Sequence, residues 1–223
     1  MNVITISIKG SPSVRVYCLE TESYCLITDF IDAKTEKEIE NALQVKVIKT
    51  RIMESNLIGC LCAGNSTKLA VPAEIEKKEI QNLASQLPEN VEILKVKGNF
   101  ALGNLIAVND SKIVLSKDLP KGISANLLEF FGLKAMQINF RENPLTGSLL
   151  RFTNKGFFVG NLIEKKEYLE LKEFLELEGL TGTANYGDSF VGNDLIANSN
   201  GIATGFITTG FELGRIDEAL TGK

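Results

Sequence analysis

Glycine and asparagine are concentrated in the stretch GTANYGDSFVGNDLIANSNG at residues 182–201, around one short apolar run. Backbone N–H groups in such a stretch can bind phosphate, so the first chemical question is whether it holds a nucleotide. The later segment GFITTGFELGRIDEAL also has glycines at a predicted helix entrance, where an anion would bind. This second segment lacks the GxxxxGK[ST] spacing of a phosphate loop, and Thr208 and Thr209 before Glu212 are typical of helix capping. We therefore expect no nucleotide site there.

Side chains for nucleophilic and acid–base catalysis are poorly supplied. The sequence contains no histidine, which removes imidazole-based triads and dyads and most zinc sites. Of the four cysteines, Cys60 and Cys62 alternate within the apolar run LIGCLCA, where cysteine behaves as a small core side chain. We expect Cys18, Cys25 and this pair to be reduced structural thiols in a reducing cytoplasm, with a metal site or a redox pair as the alternative.

The acidic run EKKEYLELKEFLELEG at residues 164–179 is the remaining place to look for paired carboxylates. Its charges lie mostly off the helical stripe formed by Tyr168, Leu171 and Leu175, so we expect a solvated helix face. We also expect Met53 to lie in the core, together with Met136, Phe130 and Phe131. The sequence predicts no catalytic residue, no metal site and no cofactor.

A repeat of 44 or 45 residues organises the elements that carry these residues. Glycines at 59, 103, 147 and 192 are spaced by 44, 44 and 45 residues, and stepping back 44 from Gly59 reaches Arg15. Each copy reads as an apolar strand such as 57–63, a polar turn, a second strand, an amphipathic helix and a further strand. The predicted repeats span about 11–54, 55–98, 99–142, 143–187 and 188–223, preceded by a strand at 2–8.

The fifth copy ends after its helix and lacks the last strand, whereas the N-terminal strand has no preceding copy to join. The simplest arrangement is a closed ring in which the N-terminal strand completes the last unit, because closure removes two unpaired sheet edges. The predicted fold class is therefore α/β, as a five-fold pseudosymmetric ring of ββαβ-like repeats. No linker or low-complexity segment divides the chain, so we expect one domain over residues 1–223.

Several motifs in this register carry a family resemblance: GNSTKLAVP, ALGNLIAVND, GTAN, VGNDLIANSNG and TTGFEL. The chain resembles the translation initiation factor 6 family, and its archaeal branch best, since it stops just after EALTGK. The resemblance implies the pentein, or α/β-propeller, fold and no catalysed reaction. It also implies binding to the intersubunit face of the large ribosomal subunit, which prevents subunit joining, and a role in late maturation of that subunit. The implied contact is a ribosomal protein beside the sarcin–ricin loop.

The recurring polar turns supply candidate contacts. Asparagine suits a turn for structural reasons alone, yet equivalent turns in a ring point to one face, and the resemblance implies that this face meets the ribosome. The turn asparagine follows the repeat glycine by six residues in three copies and by seven in the copy with Asn154. The candidate ribosome-binding residues are Asn65, Lys68, Asn109, Lys112, Asn154, Lys155, Asn198 and Cys60.

Charge limits the kind of partner. With 24 basic and 28 acidic residues, net charge −4 and a pI near 5.2, the chain lacks the positive field that drives binding to nucleic acid. It has no tryptophan and 7% aromatic residues, so platforms for base stacking are few. We expect a monomer that docks mainly on a basic ribosomal protein and touches rRNA only peripherally.

Other function classes stay open at this point. No apolar run approaches the roughly 18 residues that span a bilayer, and the start MNVITISIKG lacks the sections of a signal peptide, so no membrane partner is expected. One alternative is a pentein enzyme acting on guanidino compounds; such enzymes use a cysteine with histidine and carboxylates, and the absence of histidine argues against it. The other alternative is a ring-shaped scaffold with a non-ribosomal partner.

Overall fold

The computed structural model describes residues 2–221, whose strands form five three-stranded sheets. The strands are β1 (Asn2–Ile6), β2 (Cys18–Glu20), β3 (Tyr24–Thr28), β4 (Lys46–Thr50), β5 (Ala63–Gly64), β6 (Lys68–Pro72), β7 (Glu92–Val96), β8 (Ile106–Val108), β9 (Lys112–Leu115), β10 (Lys134–Gln137), β11 (Leu150–Phe152), β12 (Phe157–Gly160), β13 (Gly179–Gly182), β14 (Leu195–Ala197) and β15 (Gly201–Gly205).

Long and short helices alternate along the chain. A 3-10 helix at Val14–Tyr17 comes first, and the α-helices are α1 (Ala33–Leu43), α2 (Ile58–Leu61), α3 (Lys77–Gln86), α4 (Leu102–Leu105), α5 (Lys121–Phe131), α6 (Thr146–Leu149), α7 (Lys165–Leu175), α8 (Val191–Asp194) and α9 (Gly210–Thr221). Each of α1, α3, α5 and α7 connects the second strand of a sheet to a third strand parallel to it, as α3 connects β6 to β7. The fifth long helix, α9, follows β15 and is the last element of the described chain. Apolar side chains of the helix and the sheet form one buried cluster in each repeat.

The predicted ring closure is confirmed by the pairing of the first and last strands. β1 lies parallel to β15, with Val3 opposite Ile202 and Ile6 opposite Gly205, so the N-terminal strand is the third strand of the fifth sheet. In each of the other four sheets, the third strand directly follows the long helix of the same repeat.

The prediction of a strand over residues 57–63 is wrong in its first part. Ile58–Leu61 forms a helical turn, and only Ala63 and Gly64 pair with β6. Close packing of the anchor glycines explains the helical turn. A Cβ placed on Gly103 would lie 1.9 Å from the carbonyl oxygen of Gly59, so successive short helices pack backbone against backbone around the axis.

The ring has two ends, which differ in chemistry. The turn end comprises the hairpin turns at 21–23, 65–67, 109–111, 153–156 and 198–200, together with the C-termini of the long helices. The short-helix end comprises the short helices, the loops that precede them and the N-termini of the long helices. The antiparallel hairpins separate these two sets of segments by the length of a strand.

Candidate functional site

Arg15 occupies the ring position that holds glycine in the other four repeats, and its side chain is buried near the axis. Its guanidinium Nη1 donates to the carbonyl oxygens of Gly59 at 2.6 Å and Gly103 at 3.4 Å. The buried Glu20 carboxylate lies 3.6 Å from Arg15 Nε and also forms an ion pair with Arg151. Buried charges need partners of this kind. Arg15 therefore serves the ring interior, where it binds backbone carbonyls contributed by two other repeats.

A ring of buried polar side chains lies at the turn end and holds neighbouring repeats together. In Asn109, Oδ1 accepts from the backbone N–H groups of Ser111 at 2.9 Å and Lys112 at 2.8 Å, while Nδ2 donates to Thr153 O in the next repeat at 2.9 Å. Asn65 Nδ2 donates in the same way to Asn109 O, and Asn198 Nδ2 to Thr21 O at 3.2 Å. Asn198 Nδ2 also donates to Leu43 O at the end of α1. Each of these amide groups thus both donates and accepts hydrogen bonds inside the protein.

The fourth-repeat member of this ring is Thr153, and the first-repeat member is Thr21. Each hydroxyl oxygen accepts from the N–H groups two and three residues later, as the asparagines do. The numbering that gave Asn154 this role is wrong by one residue: Asn154 is exposed, and its Nδ2 donates to Asp110 Oδ2 at 2.7 Å. A constant spacing of six from the anchor identifies both threonines in the sequence, but the residue type hid them.

Two of the candidate lysines cap helices. Lys68 Nζ donates to Phe130 O at the end of α5, and Lys112 Nζ donates to Leu175 O at the end of α7, at 2.7 Å for the latter. Lys112 is 5% exposed and also pairs with Glu176, whose pKa its ammonium lowers through a hydrogen bond and its charge. A cation at a helix C-terminus is favoured by the macrodipole.

Burial divides the candidate contact residues into two groups. Asn65, Asn109, Asn198 and Lys112 are buried and bonded within the ring, so each has a structural role that does not depend on a partner. Asn154 and Lys155 are exposed, and Lys68 is half-buried. Cys60 is half-buried and lies on α2, at the opposite, short-helix end.

Charge reversal at Lys112 and at Lys155 compares a buried lysine that caps a helix with an exposed lysine in a turn. We expect Lys112→Glu to lower the free energy of unfolding by about 2 kcal/mol, because a carboxylate would face Leu175 O and Glu176 at a helix C-terminus. We expect Lys155→Glu to change it by less than about 0.5 kcal/mol, because Lys155 is exposed and its contact, Nζ to Ser199 O at 2.7 Å, is open to water. Urea denaturation of the two variants measures the difference, and equal stability would contradict the capping role.

The cysteines have environments that disfavour the thiolate. Cys18, Cys25 and Cys62 are buried, and burial raises the pKa of each thiol. Burial also raises the pKa of half-buried Cys60. A catalytic cysteine needs the opposite shift. Among residues 2–221, no group of three or more histidine, cysteine or acidic residues is arranged to hold a metal ion. No helix in this part of the chain is long and apolar enough to cross a membrane.

Exposed apolar side chains are concentrated at the short-helix end. Of the large apolar residues exposed within 2–221, only Leu169 lies elsewhere, on the outer face of α7. Met53, expected in the core, is 40% exposed because its loop projects past the end of β4. The members at this end are Met53, Leu57, Leu162, Tyr186, Phe206, Ile207 and Phe211. Exposed apolar patches of this kind mark interaction surfaces.

The largest part of this surface lies in the fifth repeat and at the end of the fourth. Tyr186 is 81% exposed and Phe211 76%, and with Phe206 and Ile207 they present on the order of 500 Å² of apolar area. The loop that carries Tyr186 is fixed by Glu212, whose carboxylate accepts from the N–H groups of Tyr186 at 3.2 Å and Gly187 at 2.9 Å. The aromatic ring is therefore displayed by an ordered backbone.

Comparison with known proteins gives a consistent result over nearly the whole chain. A model of the eIF-6 family matches residues 3–219. Translation initiation factor 6 of Methanocaldococcus jannaschii is 36% identical over 217 residues, covering 95% of this chain and 94% of the relative. The protein of that name from Pyrococcus abyssi is 31% identical over 99% of both chains. Eukaryotic translation initiation factor 6 of Toxoplasma gondii is 31% identical over 94% of this chain and 80% of its own length.

Proposed function

Because this chain belongs to the eIF-6 family of translation factors, we propose that it binds the intersubunit face of the large ribosomal subunit and keeps the small subunit from joining. The observation that carries the proposal is the family match over residues 3–219, together with relatives named translation initiation factor 6. A part in maturation of the large subunit belongs to the same proposal. The protein acts by binding and not by catalysis, in keeping with thiols whose pKa values burial has raised.

The short-helix end is the docking surface in this proposal. Its support is the apolar patch of Tyr186, Phe206, Ile207 and Phe211, for which the turn end has no exposed counterpart among the described residues. The partner is mainly a ribosomal protein, because a chain with net charge −4 has no field that attracts rRNA. If the turn end docked instead, the exposed residues Asn154 and Lys155 would contact the ribosomal partner.

Sedimentation with salt-washed archaeal large subunits tests the proposal. The wild-type protein is expected to travel with the large subunit and to reduce its joining to the small subunit. The double variant Tyr186→Ser, Phe211→Ser is expected to bind roughly tenfold or more weakly, because large apolar anchors carry much of the energy of an interface. The control Leu169→Ser, on the outer face of α7, removes a similar exposed apolar side chain and is expected to bind like wild type.

Three outcomes would contradict parts of the proposal. Wild-type protein that sediments free of both subunits at near-physiological salt excludes the ribosomal function. Wild-type binding that the double variant retains excludes the short-helix end as the docking surface. Loss of binding in Asn154→Ala, Lys155→Glu, with the double variant unaffected, assigns docking to the turn end.

A further inference from the structure

A separate pocket of about 220 Å³ lies at the short-helix end, where residues of the first, second and third repeats meet. Its lining is mainly apolar: Met53, Leu61, Pro72, Phe100 and Ala101 contribute to it. The lining also includes Asn99 and one exposed carboxylate, Glu74, but no lysine or arginine among the described residues. The pocket is thus an apolar cavity with a single negative charge at its edge.

One wall of the pocket is held in place by the start of α3. Met53 and Glu54 both adopt left-handed backbone conformations, with φ of 57° and 58°. Their N–H groups donate to the two oxygens of the Glu79 carboxylate, at 3.0 Å and 2.8 Å. The same carboxylate accepts from Glu76 N as part of the capping box of α3. The exposed Met53 side chain therefore rises from a fixed loop.

The opposite wall depends on a glycine. Gly98 has φ of +109°, which favours glycine, and a Cβ at this position would lie 2.5 Å from Phe100 Cε2. Glycine is therefore what allows the Phe100 ring to lie beside this turn, where it also packs on the core cluster of the third repeat. The left-handed loop at Met53 and the glycine turn at Gly98 thus shape one cavity. Met53 belongs to none of the buried core clusters that residues 2–221 form.

We propose that this pocket receives one apolar side chain of a large-subunit protein, with a neighbouring basic residue of that protein paired to Glu74. The inference rests on the proposed function and names the kind of contact made at this pocket. About 220 Å³ is below the range of pockets for small-molecule ligands, and it suits a single anchoring side chain of an interface. An RNA occupant is disfavoured because the lining offers no cation for a phosphate.

Variants on each wall test the pocket against salt-washed archaeal large subunits. Met53→Glu places a charge on the exposed rim, and Gly98→Ala displaces the Phe100 ring; each is expected to weaken subunit binding roughly tenfold. Glu74→Lys is expected to weaken binding by a smaller factor that shrinks as salt is raised. The matched controls are Leu169→Glu, exposed on α7, and Gly122→Ala, whose added methyl would meet nothing within 4 Å; both are expected to bind like wild type.

Alanine at position 98 is strained and can disturb the fold. A thermal melt of each variant therefore checks folding, and Met53→Glu tests the pocket without a change at Gly98. If wild type binds and a folded Met53→Glu variant binds equally well, the pocket inference is overturned while the proposed function stands. If wild type itself does not bind, the proposed function has failed first. Equal binding of wild type to protein-free large-subunit rRNA, lost in Met53→Glu, would assign the pocket to RNA and overturn the inference as well.

Discussion

The variant Gly103→Ala is expected to lose about 3 kcal/mol or more of its free energy of unfolding. The added Cβ would lie 1.9 Å from Gly59 O and 2.6 Å from Cys62 O. Both are backbone atoms of the preceding repeat, so no side chain can turn aside to relieve the overlap. Overpacking in a well-packed interior usually costs about 1–3 kcal/mol, and more where the obstacle is rigid. The short helices would have to move apart around the axis.

Urea denaturation of Gly103→Ala and Gly122→Ala measures this effect with an internal control. Gly122 lies in α5 with nothing within 4 Å of its added methyl, so alanine there is expected to leave stability unchanged or raise it by up to about 1 kcal/mol. A lower midpoint at constant slope reports lost stability of the folded ring. A Gly103→Ala protein that unfolds at the wild-type midpoint would refute the close packing of the anchor glycines.

The ring was predictable from the sequence, but the local structure at its anchors was not. Apolar periodicity and the 44-residue spacing predicted the strands, the long helices and closure through β1, which pairs with β15 as expected. A helical turn of four residues, such as Ile58–Leu61, is too short to show a period, so it reads as part of an apolar strand. Arg15 breaks the glycine pattern, and only the ring places its guanidinium against the carbonyls of Gly59 and Gly103.

The candidate contact residues show a different limit of sequence reasoning. An asparagine that closes a turn and one that contacts a partner have the same residue type and the same position, and only the packing of the next repeat separates them. Asn109 is buried against the next repeat, where its amide donates to Thr153 O. By contrast, Tyr186 and Phe211 are aromatic residues in a segment read as turns and caps. Their exposure of 81% and 76% depends on loops that no periodicity describes.

Asp194 is expected to make the protein less stable as the pH rises from about 4 to about 7. It takes the place in α8 that leucine takes in the second, third and fourth repeats, and it is 0% exposed. Within the described chain, neither carboxylate oxygen has a hydrogen-bond donor in good geometry, although the Ser13 and Asn185 side chains lie close enough to favour its charged form. Burial, with a smaller contribution from the charge of Asp188, raises its pKa to about 7, although Ser13 and Asn185 act in the opposite direction and Glu212 adds to the rise.

The direction of this pH dependence follows from the protonation of Asp194 in the folded and unfolded states. Between the unfolded pKa near 3.8 and the folded pKa near 7, the folded protein keeps the proton that the unfolded chain has released. Stability therefore falls with rising pH across this window and stays at its reduced value above it. At 1.36 kcal/mol for each pKa unit, the full loss is on the order of 4 kcal/mol.

The variant Asp194→Leu isolates this contribution, since other carboxylates also titrate. Its stability relative to wild type is expected to be about 4 kcal/mol higher near pH 8 and to approach the wild-type value near pH 4. Asp118→Asn, at an exposed position, is the control and is expected to show no such trend. Urea denaturation at several pH values measures both differences. A difference between Asp194→Leu and wild type that is flat with pH would mean that the buried carboxylate does not take up the proton. Because α8 packs against the 3-10 helix of the first repeat, the ionised carboxylate weakens the contact between the first and fifth repeats. The pairing of β1 with β15 joins the same two repeats.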